Sequence, residues 1–241
     1  MPLIAAAAVA AGAALQSATG FGFSIVAAPL VFAVVEPEEA VGLLIVLGSL
    51  VNVLTLATER RRPRPVWREC AVLLAFALPG AVAGVAVLRA LDPVALQIAV
   101  TAGVIATLAA RRLAGSAQAP AWAGPTAGLA AGALTTSTTT AGPPLIVYLL
   151  GRRLDPVRMR DTIPVCFLGL SVVGVIALAV TGTSGAVPDA GLVALLVPVV
   201  IAGHLAGRPL FAALLRSGRY EAVLTSVLLA SVAGGLAVAV L

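Results

Sequence analysis

Charge is what this sequence has least of: 10% of 241 residues, where a soluble domain carries about 25%. With 61% hydrophobic residues and a mean hydropathy of +1.11, the shortage excludes an ordinary soluble domain and reads as a membrane protein. Lysine is absent. The basic residues are all Arg, in short clusters between apolar segments, as in cytoplasmic membrane loops. Aromatics are only 4%, so despite a pI near 10.5 there is neither a stacking platform nor a basic helix face for nucleic acid. The two cysteines, Cys70 and Cys166, form no CxxC or Cys/His spacing and read as small apolar fillers. No cofactor or metal site is expected. The opening MPLIAAAAVAAGAAL resembles a signal-peptide core, but no basic residue precedes it and it has an internal counterpart, so it reads as part of the fold.

Apolar segments fall at 3–15, 22–35, 40–58, 69–88, 93–110, 124–134, 142–150, 162–181, 190–215 and 220–241. Those near 20 residues can cross a bilayer, whereas those of 10–14 re-enter or end midway. The short ones form two pairs, each flanking a polar break: QSATGFGFS at 16–24 and TTSTTTAGPP at 135–144.

The chain repeats itself. Val9-AAGA matches Leu129-AAGA; at the same offset Ser17 meets Ser137, Thr19 meets Thr139 and Gly22 meets Gly142. One residue of slippage later, Glu36-Pro37 meets Asp155-Pro156, and Gly80xxxGly84 meets Gly203xxxGly207. The predicted fold is therefore an all-α polytopic membrane protein of two inverted-topology repeats. Repeat 1 is 1–112 (hairpin 3–35, spans 40–58, 69–88 and 93–110), 113–123 is a cytoplasmic linker, and repeat 2 is 124–241 (hairpin 124–150, spans 162–181, 190–215 and 220–241). The GxxxG glycines let helices approach closely; Pro79, Pro164, Pro198 and Pro209 are expected to kink theirs.

Arginine counting decides between two topologies. If each broken pair crossed the membrane once, the fourteen loop arginines would split seven and seven. If 124–150 enters and leaves on one face, thirteen share a side and only Arg89 is opposite. The positive-inside rule selects the second. The count leaves open whether 3–35 re-enters or spans; the repeat extends the inference to it, and inverted repeats bring such elements tip to tip at the midplane.

Gly20, Gly22 and Gly142 allow sharp turns, and Pro143 and Pro144 suit the first turn of a helix. New helices should thus start inside the membrane with their N–H groups free, which is an anion site. Around them stand Gln16, Ser17, Thr19, Ser24, Thr135, Thr136, Ser137, Thr138, Thr139 and Thr140. The competing reading is that these hydroxyls only cap and glue broken helices. Asn52 lies mid-span on a face with Ser49 and Thr55, suited equally to interhelical bonding and to pore lining. His204 and Arg208, four apart in GHLAGRP, are the ionisable residues well within a span: Arg208 is a candidate substrate contact and His204 a candidate proton relay.

Gly20-Phe-Gly22 followed by Pro29, the loop ERRRPRPVW, PGAVAG, GPP before YLL, and AGHLAGRPL occur in an order that resembles the TauE/SafE sulfite-exporter family of bacterial membrane transporters. The resemblance spans nearly the whole chain. It implies secondary transport of sulfite, organosulfonates or related sulfur-containing anions across the inner membrane; the arginine count, by the positive-inside rule, puts the basic loops on the cytoplasmic side.

The expected function is alternating-access transport of a small sulfur oxyanion, not catalysis. A channel or carrier for another anion, such as a carboxylate, is the alternative. An intramembrane hydrolase using Ser137 and His204 is more remote, because Ser137 has no GxSx context and a dyad needs an oxyanion hole. The expected partners are a small anion and the bilayer, with a second copy of the chain left open.

Overall fold

A computed structural model describes residues 2–59, 61–90, 119–219, 222, 223, 225 and 226. The expected span 93–110, nearly all of 220–241 and most of the linker 113–123 lie outside the described residues.

Among the described residues the chain is helical, with no strand. The helices are α1 (Pro2–Thr19), α2 (Phe23–Phe32), α3 (Pro37–Ala57), α4 (Trp67–Ala90), α5 (Ala123–Ser137), α6 (Gly142–Gly151), α7 (Pro156–Val180) and α8 (Ala190–Arg216). Four of them, α3, α4, α7 and α8, are long and apolar enough to cross a membrane. The prolines expected to kink, with Pro29, all lie inside continuous helices.

Two boundaries differ from the expectation. First, α3 begins at Pro37 and α7 at Pro156, ahead of their hydrophobic runs. Proline suits a first turn, and Asp155 accepts hydrogen bonds from the Val157 and Arg158 amides at 3.1 and 3.0 Å. A capped polar turn is invisible to hydropathy. Second, Thr135, Thr136 and Ser137 belong to α5, so the second break shrinks to 138–141. The Thr135 and Ser137 hydroxyls donate to the Ala131 and Ala133 carbonyls, each at 2.7 Å, an alternative to water that lets them stay helical.

Each broken pair folds back on itself. The Ala119 amide donates to the Gly151 carbonyl at 3.1 Å, and a Cβ on Gly124 would sit 3.0 Å from the Tyr148 hydroxyl. The two ends of 124–150 are therefore together. In the first pair, a Cβ on Gly12 would fall 2.6 Å from the Phe23 carbonyl, while Val9 and Ala13 pack in one cluster with Ala27 and Val31.

The two broken pairs pack on different long helices. Gly80 and Gly84 of α4 lie against the Leu129 and Ala133 carbonyls of α5. Gly203 and Gly207 of α8 lie against the Ala10 and Ala14 carbonyls of α1. In both contacts the residue numbers rise together, so α5 runs parallel to α4 and α1 parallel to α8.

The bundle has two polar ends. At one, Arg89 reaches Glu38 at 3.7 Å and the Thr181 carbonyl at 3.2 Å, and the Asp189 amide donates to Glu39 at 3.0 Å. At the other, Arg152 pairs with Glu69 at 3.0 Å, Arg61 with Asp161 at 2.7 Å and Arg160 with Glu59 at 2.6 Å. The first hairpin leads into α3 at the Glu38 end; the second opens at the arginine-rich end.

These approaches leave no room for a methyl. Gly80→Ala and Gly203→Ala should each destabilise the fold by about 1–3 kcal/mol through overpacking. Thermal unfolding in detergent reads this as a lower midpoint, and an unchanged midpoint would contradict the packing.

Candidate functional site

The two breaks meet. A Cβ on Gly142 would lie 3.2 Å from the Phe21 ring and 3.9 Å from Phe167. Between them is a cavity of about 50 Å3, several times the roughly 10–15 Å3 that one water needs. Gln16, Gly22, Asn52, Thr135, Thr139 and Gly142 line it, as does Ser24. Its remaining wall includes Leu44, Ile45, Gly48, Phe167, Leu170 and Ser171. No charged side chain lines it among the described residues.

The turns are tight. Gly20 and Gly22 have φ of 94° and 106°, and Thr139 has φ 59°. A β-branched residue in the left-handed region is an outlier, of the kind that concentrates at functional sites. The Thr139 hydroxyl bonds the neighbouring Thr138 carbonyl at 2.6 Å.

One amide chain sets the polarity of the cavity. The Phe23 amide, at the start of α2, donates to Gln16 Oε1 at 3.1 Å. Gln16 must then present its NH2 elsewhere, and Nε2 donates to Asn52 Oδ1 at 2.8 Å. An amide orientation is normally an assignment; here the backbone donor dictates it. Asn52, 3% exposed, is left with Nδ2 as a donor at the cavity, without a protein partner among the described residues. Ser24 and Ser171 likewise have no hydroxyl partner among them. The first-turn amides of α2 have no acceptor within their own helix, whereas Pro143 and Pro144 have no amide to give. Donors are therefore concentrated on the α2 side.

Thr140 is also part of the cavity wall, whereas Thr19, Thr136, Thr138 and Pro143 lie outside it. The Thr136 hydroxyl donates to the Ala81 carbonyl of α4 at 2.7 Å, Thr138 pairs with Thr140 at 2.6 Å, and the Thr19 hydroxyl donates to the Phe21 carbonyl at 2.7 Å. Pro143 is buried in α6. Gly20 supplies the turn.

Ser17, His204 and Arg208 form a separate cluster. Ser17 Oγ lies 2.5 Å from His204 Nδ1, and His204 Nε2 lies 3.1 Å from Thr58 Oγ. The Thr58 hydroxyl donates to the Leu54 carbonyl, so its oxygen accepts from Nε2–H, while Nδ1 is hydrogen-bonded to the Ser17 hydroxyl. Both ring nitrogens are thus engaged by hydroxyl groups. Arg208 donates to the Thr58 carbonyl at 2.8 Å. Ser137 and His204 are thus not partners: each is committed elsewhere, which removes the geometry of that hydrolase dyad.

Arg160 completes this cluster. Only 4% exposed, it donates to Glu59 at 2.6 Å and to the Ser17 carbonyl at 2.7 Å, and its guanidinium lies 3.7 Å from the centre of the Phe211 ring. It caps the C-terminal end of α1, where carbonyls lack partners and the dipole is negative. Nearby, Arg61 makes a two-pronged bond to Asp161, both contacts 2.7 Å, and this hydrogen bond holds the Arg61 guanidinium above its ordinary pKa. Neither Arg160 nor Asp161 is singled out by sequence reasoning, because both precede the hydrophobic run; their place just after a first turn capped by Asp155 is the signal that could have found them.

Four long apolar helices and two opposed broken hairpins around a neutral, donor-bearing cavity define a multi-pass membrane protein with the makings of a transporter. The model of the family described as sulfite exporter TauE/SafE matches residues 4–235, and the chain belongs to that family of membrane transport proteins. No curated protein and no solved structure matches it.

Breaking a buried ion pair by removing one partner costs about 3–5 kcal/mol. Glu59→Gln should therefore lower the thermal midpoint strongly, and Glu59→Gln with Arg160→Met should cost less than the sum of the two single changes. Additive losses would contradict the coupling of the pair.

Proposed function

We propose that the protein is a secondary carrier that moves a small sulfur oxyanion, of the sulfite or organosulfonate type, by alternating access. The cavity between Gly22 and Gly142 is its binding site. The observation that carries this reading is the single orientation of the Gln16–Asn52 pair, which turns an amide donor into a cavity with no charged wall.

Donors without a fixed positive charge suit an anion that must both bind and leave. Favourable but modest binding is what transport requires. The cavity is lined by Gln16, Gly22, Asn52, Thr135, Thr139 and Gly142, and these are the proposed contacts, with Ser24 and Ser171 added. Thr19, Gly20, Thr136, Ser137, Thr138 and Pro143 hold the shape of the two tips. Ser17, His204 and Arg208, with Arg160 and Glu59, close the arginine-rich end; Arg89, Glu38 and Thr181 close the other. Rearranging one closure at a time would give alternating access.

Several facts support an inverted repeat. The hairpins open at opposite ends, and each runs alongside a long helix of the other half. Such repeats put the substrate near the midplane between discontinuous helices. The positive-inside rule places the end bearing Arg61, Arg152, Arg158 and Arg160 in the cytoplasm of a bacterial inner membrane.

Sulfite, sulfoacetate, taurine, sulfate and acetate added to the purified protein test the reading. A ligand of the native state raises the midpoint of unfolding. A sulfur oxyanion should raise it for the wild type and not for Asn52→Asp, which sets a carboxylate against the anion. A panel without effect, or equal shifts in the variant, would contradict the site.

A further inference from the structure

Cys70 and Cys166 are the two cysteines of the chain. Sequence reasoning treats them as separate fillers, but the fold brings them together. Cys70 lies in the first turn of α4 and Cys166 in the middle of α7, one from each half. Their sulfurs are 3.1 Å apart, with the Cys166 thiol donating to Cys70, and the Cys70 thiol facing the Thr162 carbonyl at 4.0 Å. Cys70 is 2% exposed and Cys166 is buried completely. Leu73, Ile163 and Leu170 belong to the same apolar cluster.

We propose that Cys70 and Cys166 are a peroxide-oxidised dithiol: an internal disulfide site that fastens α4 to α7 across the two halves. The contact already supplies the pairing, since a disulfide needs its sulfurs at about 2.05 Å, roughly 1 Å of closure. Burial selects the oxidant. A charged peptide disulfide has no route to these sulfurs, whereas hydrogen peroxide is uncharged, near the size of water and able to cross lipid.

The steps balance. The Cys70 sulfur attacks one peroxide oxygen, the O–O bond breaks, and the departing hydroxide leaves as water with the thiol proton; Cys70 becomes a sulfenic acid. The Cys166 sulfur then attacks the Cys70 sulfur. The S–S bond forms, the S–O bond breaks, and the second water leaves with the Cys166 proton. Two thiols lose two electrons and two protons, and one peroxide becomes two waters. Cys70 is the group attacked by oxidant because it accepts the hydrogen bond and is the less buried of the two.

The bond would act on the transport machinery through its neighbour. Phe167 follows Cys166 directly, lines the cavity and stands 3.9 Å from where a Gly142 Cβ would be. A disulfide at Cys166 would pin that wall of the cavity to α4. Both cysteines stand as free thiols, so the reduced form is the starting state and the bond a response to peroxide.

The test uses the purified full chain in lipid nanodiscs. Peroxide is added in a graded series, the reaction is stopped with acid, and free thiols are alkylated after denaturation. The expected product is a monomer lighter by two hydrogens that takes up no alkylating agent until dithiothreitol restores both sites. Full alkylation of both cysteines at every peroxide dose would overturn the proposal. So would oxygen adducts without loss of alkylation at the second cysteine, or a disulfide joining two copies.

Discussion

A helix that stops in the middle of an apolar bundle leaves amide and carbonyl groups that neither lipid nor hydrocarbon side chains can satisfy. This chain does so twice, and the remedy at each place is supplied by the rest of the molecule. At the first break, Gln16 takes the Phe23 amide and Arg160 takes the Ser17 carbonyl. At the second, the Thr138 and Thr140 amides both return to the Leu134 carbonyl, and two prolines remove the amides that would otherwise be orphaned. The contact of Phe21 with Gly142 joins the two solutions. The cavity, the paired halves and the ion pairs at either end follow from that junction.

The two halves are alike in outline and unlike in chemistry. Gln16 and Asn52 face, at equivalent places, Thr136 and Ser171. The first pair forms an amide relay at the cavity; Thr136 instead bonds the Ala81 carbonyl across to α4. The proline-started α6 offers fewer donors than α2. An anion between the tips therefore meets a donor-rich side and a hydroxyl-and-apolar side.

Much of this was legible in the residues. The polar breaks, the GxxxG packing and the folding back of 124–150 all follow from hydropathy, glycine spacing and arginine counting, because each depends on local sequence or on a long-range rule about charge. What was not legible depends on which helix faces touch. Nothing near Cys70 announces Cys166, since their meeting is set by how α4 crosses α7. The Gln16–Asn52 bond needs α1 and α3 in register, so Asn52 alone looked equally like glue. Thr19 and Thr139 looked equivalent by position, yet the Thr19 hydroxyl bonds the Leu15 and Phe21 carbonyls while Thr139 lines the cavity. Hydropathy also hid Arg160 and Asp161, buried residues near the start of α7 that precede its apolar run.

The central claim is that an anion sits between the two tips. Selenite has the shape and charge of sulfite and a strong X-ray signal at the selenium edge. Crystals soaked in selenite should show one anomalous peak inside the cavity, within hydrogen-bond reach of Asn52 Nδ2 and the first turn of α2. A cavity without a peak, with selenium instead only on the arginines at the bundle end, would contradict the account.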